Sequence, residues 1–117
     1  MTETVLEVAM LEQLSQELGG DPEPVCDLIE SYLTEAPVAL ARVRSAIENG
    51  SAVELARAAH SLKSSSAMLG AKSVSAIAVD LEKIGRSGSL TGASERFATM
   101  SQLFPRVEQE LRGWMKR

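Results

Sequence analysis

Cysteine and aromatic side chains are scarce in this sequence, and no Lys or Arg occurs before Arg42. A single cysteine, Cys26, excludes an internal disulfide and is one thiolate short of the smallest pair for a structural zinc site. Its use fits a reducing, cytoplasmic setting. No run of apolar residues approaches the length of a membrane span. The N-terminus intersperses Glu3, Glu7 and Glu12 among its apolar residues, which differs from the basic start and unbroken apolar core of a secretory signal. A formal net charge of -4 disfavours a nucleic-acid-tracking surface, because such surfaces carry a clear basic excess. The charge is nonetheless uneven. Arg57, Lys63, Lys72, Lys83 and Arg86 gather in the middle of the chain, enough to serve one phosphoryl group.

What is present is Ala and Leu, at spacings of three and four rather than two. That pattern predicts helices, and 117 residues suffice for one core and not two, so a single domain over residues 1–117 is expected. The first helix is predicted over about Leu6 to Leu18, with Leu11, Leu14 and Leu18 on one face and Gly19-Gly20 as its stop. Asp21-Pro22 restarts the chain as N-cap and first helical residue. Val25, Leu28, Ile29, Tyr32 and Leu33 mark the buried face that follows. Pro37 predicts either a kink or a short break before a segment carrying Leu40, Val43 and Ile47, which Asn49-Gly50 ends.

Ser51 and Glu54 fit a capping box and open the next helix, which Gly70 closes. Ser73 is the predicted cap of a stripe formed by Val74, Ile77, Leu81 and Ile84 up to Gly85. After the turn at Ser87-Gly88-Ser89, a last helix from near Thr91 carries Phe97, Met100, Phe104, Val107, Leu111 and Trp114, with a kink expected at Pro105. Amphipathic helices joined by short turns are best satisfied by an all-α antiparallel four-helix bundle with a short additional N-terminal helix.

His60 is the single histidine of the chain. At about 100° per residue, Leu55, Ala59, Leu62, Ser66 and Leu69 form one stripe, and His60 lies roughly 140° from its centre. It is therefore predicted to face outward. Ala56, Ser64 and Ala67 are its small neighbours, and Lys63 stands at the edge between core and solvent, near enough to meet a phosphoryl oxygen. A lone helical histidine is most often an ordinary surface residue. An imidazole is also suited to phosphoryl carriage, since it is largely neutral at pH 7 and keeps one ring nitrogen free to attack phosphorus.

The run Ala59-His60-Ser61-Leu62-Lys63-Ser64-Ser65-Ser66-Ala67, then Leu69-Gly70-Ala71, Leu81-Glu82 and Gly85-Arg86, resembles the signature of histidine phosphotransfer (HPt) domains of multistep phosphorelays. The resemblance implies a four-helix bundle whose exposed histidine takes a phosphoryl group, usually on Nε2, from a receiver-domain aspartate or a histidine kinase. His60 matches that histidine and Lys63 the phosphate-side lysine, while Glu82 falls where members carry Gln or Glu accepting a hydrogen bond from Nδ1–H. Glu82 could equally pair with Arg86 four residues on. Arg86 matches a basic residue that contacts phosphoryl group or partner, and is also a cation favoured near a helix C-terminus.

One position departs from the family pattern: Ser64 stands where Gly usually follows the lysine. Its hydroxymethyl leans over the turn containing His60, so an altered rate or partner preference is expected. The expected function is a phosphocarrier without independent catalysis, acting on receiver domains and a histidine kinase as a monomer, with the receiver supplying Mg²⁺. No cofactor, metal, membrane or nucleic acid is called for. Arg57, Arg86, Ser64, Ala56 and Ala67 are the expected phosphate- or partner-proximal residues around His60, Lys63 and Glu82. The alternative is a helical adaptor that binds a receiver or kinase domain without phosphorylation.

Overall fold

A computed structural model describes residues 5–116; Glu3 and the extreme ends of the expected domain lie outside the described residues. Five helices follow in order: α1 (Val8–Glu17), α2 (Glu23–Glu48), α3 (Ala52–Met68), α4 (Lys72–Arg86) and α5 (Ala93–Met115). Among the described residues there is no strand. Neighbours in the chain are neighbours in space, and α5 returns to α2, so α2 to α5 close a four-helix bundle. The most extensive contact is between α3 and α4. Leu55, Leu62, Leu81, Met100 and Leu111 are fully buried at its centre, joined by Ile29 and Val43 of α2. Truncating one such leucine to alanine typically costs about 2–5 kcal/mol.

The helix punctuation expected from the sequence is partly displaced by tertiary contacts. α1 starts at Val8, not Leu6; ahead of it, Val5 and Leu6 N–H donate to the Glu110 carboxylate, both at 3.1 Å, and Glu7 N–H donates to the Gly70 carbonyl at 2.9 Å. Leu6 is still buried. Leu18, expected on the inner face, is exposed instead, because the helix ends at Glu17 and Ser15 fills the inward position.

Asp21 caps α2 as expected, accepting the Glu23 N–H at 3.0 Å, while Pro22 takes helical dihedrals just before the assigned start. Pro37 makes no break. α2 runs unbroken through it, with the ring on the exposed side, where the carbonyl that loses its donor can turn to water. Pro105 is likewise exposed within an unbroken α5.

Only half of the predicted capping box at Ser51 forms. Its hydroxyl accepts the Glu54 N–H at 3.2 Å, but Ser51 N–H goes to the Ala46 carbonyl, and the Glu54 carboxylate pairs with Arg57. Ser73 caps nothing, since α4 begins one residue earlier at Lys72. Gly85 stands one residue before the end of α4 at Arg86. It does not end α4 but lies buried inside it, against α3.

Two buried hydroxyls tie α2 to α3 within the core, Tyr32 Oη and Ser66 Oγ, 2.8 Å apart. Tyr32 also packs its ring at 6.0 Å from Phe104 of α5. Burial, and then the carboxylates of Glu30 and Asp27, push the Cys26 thiol up, so it stays protonated and weakly nucleophilic.

Candidate functional site

The site is built on the surface where α3 and α4 lie against each other. The inner stripe of α3 is buried as the 100° spacing predicts: Leu55, Ala59, Leu62 and Ser66 all face the core, as does Leu69 just past its end. His60 is thereby turned outward, its side chain 58% exposed. Lys63 stands at the boundary, 32% exposed.

From α4, Glu82 reaches across to this surface. Its side chain is 6% exposed, and its carboxylate is shared among three partners. Oε2 lies 2.8 Å from His60 Nδ1 and 2.8 Å from an Arg86 guanidinium nitrogen, and Oε1 accepts from Lys63 Nζ at 2.7 Å. Both sequence readings of Glu82 therefore hold at once. The hydrogen bond from Lys63, then that from His60 and the Arg86 charge, outweigh the opposing effect of burial and hold this carboxyl below the usual carboxylate range.

An ionised carboxylate can only accept, so His60 Nδ1 is the donor in this bond. In the neutral ring the proton then resides on Nδ1, and Nε2 keeps its lone pair on the exposed side. A buried acid thus fixes which nitrogen is nucleophilic.

Beside the ring an open groove of about 570 Å³ runs between the start of α3 and the end of α4, floored by Ala52, Ala56 and Gly85, with Val53 and Arg86 on its rim. Val53 is among the most exposed large apolar side chains of the molecule. Arg57 lines the same groove but is paired with Glu54 at 3.3 Å. Ser64 and Ala67 lie further along the outer face of α3, both exposed and outside the groove.

The structure thus brings His60, Lys63, Glu82 and Arg86 into one hydrogen-bonded cluster and sets Ala56 and Arg57 next to it. Ala52, Val53 and Gly85 belong to the same surface and escaped the sequence reading. Only Gly85 left a signal, as a glycine within an otherwise apolar helical stripe. Among the described residues, no group of three or more His, Cys, Asp or Glu side chains is placed to hold a metal ion. No helix among them is long and apolar enough to cross a membrane.

A helical bundle presenting one oriented, outward imidazole is the architecture of a histidine phosphotransfer module. The family profile described as "Hpt domain" matches residues 27–112, and the chain belongs to that family. It is similar to the crystal structure of histidine-containing phosphotransfer protein B (HptB) from Pseudomonas aeruginosa PAO1. That likeness has a TM-score of 0.86 and 26% sequence identity, over 99% of this chain and 98% of that one. Comparison with curated protein sequences gives no match. Family and fold together support a role in histidine phosphotransfer within a phosphorelay.

Proposed function

We propose that His60 accepts a phosphoryl group on Nε2 from a receiver-domain aspartyl phosphate or a histidine kinase, and relays it to a further receiver in a two-component phosphorelay. The observation that carries this reading is the 2.8 Å bond from Nδ1 to buried Glu82 on a ring otherwise open to solvent.

The chemistry follows from that bond. The Nε2 lone pair forms the N–P bond as the P–O bond of the aspartyl phosphate breaks, its electron pair returning to the aspartate carboxylate. The ring keeps its Nδ1 proton and becomes cationic, and Glu82 faces that new charge. Stabilising the cation favours acceptance. Because the phosphorylated ring is cationic, it also departs as a neutral imidazole when the next aspartate attacks, so transfer is reversible.

Lys63 and Arg86 supply cations beside the ring, already held on Glu82 and within reach of a phosphoryl oxygen once one is shared. Mg²⁺ belongs to the receiver, which contributes the charge clamp that this surface does not itself form. The domain acts as a monomer, and the apolar groove beside His60 receives the partner.

The test is incubation with a phosphorylated receiver domain, followed by acid. Wild type takes up acid-labile label and His60→Gln takes up none. Equal labelling of both, or labelling of neither by any of several receivers, would instead support a phosphorylation-independent adaptor.

A further inference from the structure

Two helical backbones come into direct contact one turn away from the histidine. A methyl placed on Gly85 would sit 2.7 Å from the Ala52 carbonyl oxygen, 2.7 Å from the Ala56 nitrogen and 3.0 Å from the Ala56 Cα. All three are main-chain atoms of α3, which cannot swing aside as a side-chain tip can. Gly85 has ordinary helical dihedrals, so its lack of a side chain serves space and not backbone conformation. Glycine inside a helix is otherwise a liability relative to alanine.

The position of this contact matters. Ala56 precedes His60 by one turn on α3, and Gly85 follows Glu82 by one turn on α4. A close approach of the two backbones therefore lies beside the His60–Glu82 bond. At the other end of α4, the Ser75 hydroxyl donates to the Lys63 carbonyl at 2.9 Å and pins that part of the helix to α3. A side chain at position 85 would swing α4 outward about this anchored end, and Glu82 is nearer the moving end. A displacement of about 1 Å stretches a 2.8 Å contact beyond hydrogen-bonding range.

We infer that Gly85 is a positioning residue: by letting α4 touch α3, it sets the distance at which Glu82 holds Nδ1–H and so selects the nucleophilic nitrogen of His60. This rests on the phosphocarrier reading for its consequence, but the ring orientation can be measured without any phosphoryl donor.

The experiment reads the ¹⁵N shifts of the His60 ring, in the full chain, at a pH where the ring is neutral. Wild type gives the Nδ1–H tautomer, and Gly85→Ala gives a mixture of both. Phosphoryl uptake from a phosphorylated receiver falls by about tenfold in Gly85→Ala. It falls no further when Gly85→Ala is added to Glu82→Ala, because both changes remove the same bond.

An unchanged tautomer in folded Gly85→Ala overturns the inference, as does an equal loss of uptake in the Glu82→Ala background. Should Gly85→Ala not fold, Glu82→Asp withdraws the carboxylate by one methylene with α4 in place. The same tautomer mixing is then expected, and its absence is decisive against control by this distance. A ring that responds as described in a protein that accepts no phosphoryl group sinks the carrier reading and leaves the positioning role standing.

Discussion

Lys63 rests its ammonium 2.7 Å from Glu82 Oε1, so the cation expected to greet a phosphoryl group is already bound to the acid that orients His60. The two roles are coupled through one carboxylate. A phosphoryl group on Nε2 competes with Glu82 for Lys63, and any change to one partner is felt by the other.

Removing that lysine tests the coupling. Lys63→Ala leaves the bundle folded, because the lysine is partly exposed and Glu82 keeps its bonds to His60 and Arg86. It slows phosphoryl transfer or shortens the life of the phosphorylated state. Unaltered kinetics in a stopped time course with a phosphorylated receiver would remove its assigned role.

Acid should act through Glu82. Its carboxyl is held below the ordinary value of 4.5 in the folded state, chiefly by Lys63. The folded protein therefore binds this proton less readily than the unfolded chain does. The resulting stabilisation is complete above about pH 4.5 and is lost as pH falls through the lower folded value. Glu82→Gln lacks this contribution. Denaturant midpoints of wild type and variant should converge as pH is lowered from 6 towards 3, and a constant gap between them would contradict the assignment. At neutral pH the amide oxygen can still accept from Nδ1–H, so Glu82→Gln retains more transfer than Glu82→Ala.

Ser64 offers a gain of function. It is exposed on the outer face of α3, one turn beyond His60, where the family pattern has glycine. Ser64→Gly clears the approach of a docking domain and is expected to raise the transfer rate. It should also lower stability by up to about 1 kcal/mol, through the helix propensity of glycine. Rates with a single receiver, measured beside thermal midpoints, separate the two effects; a slower variant would show that the hydroxyl assists.

A control lies in the core. Tyr32→Phe leaves the Ser66 hydroxyl without its 2.8 Å partner, at a cost of about 1–3 kcal/mol. Because this pair is buried away from the site, transfer rates of the folded variant should match wild type. The Tyr32→Phe/Ser66→Ala double variant should lose less than the sum of the single losses, read from urea midpoints, since both changes break the same bond.

Much of the fold is legible without coordinates. The i, i+3, i+4 spacing of Leu55, Ala59, Leu62 and Ser66 fixes the inner face of α3, and from it the outward direction of His60 follows by helical geometry alone. Asp21, Asn49-Gly50 and Gly70 sit where chain turns are found, because capping and left-handed φ are local demands. The departures fall at helix ends, where N–H and carbonyl groups without helical partners are open to other bonds. Glu110 accepts the N–H groups of Val5 and Leu6 from over a hundred positions away, a tie that no local pattern names. At Ser51 the competition is local: its N–H closes the end of α2 on the Ala46 carbonyl, and the Glu54 carboxylate pairs with Arg57 three residues on.

By itself, then, the amino-acid order determined the helices, the buried stripes and the side of α3 on which the imidazole stands, because periodicity and capping act over a few residues. Only the packing of α4 on α3 decided that Glu82 would hold His60, Lys63 and Arg86 together, and that Gly85 would be a contact point and not a terminus. A hydrogen bond is made or lost within about 1 Å, and the separation of two helices to that tolerance depends on every side chain between them.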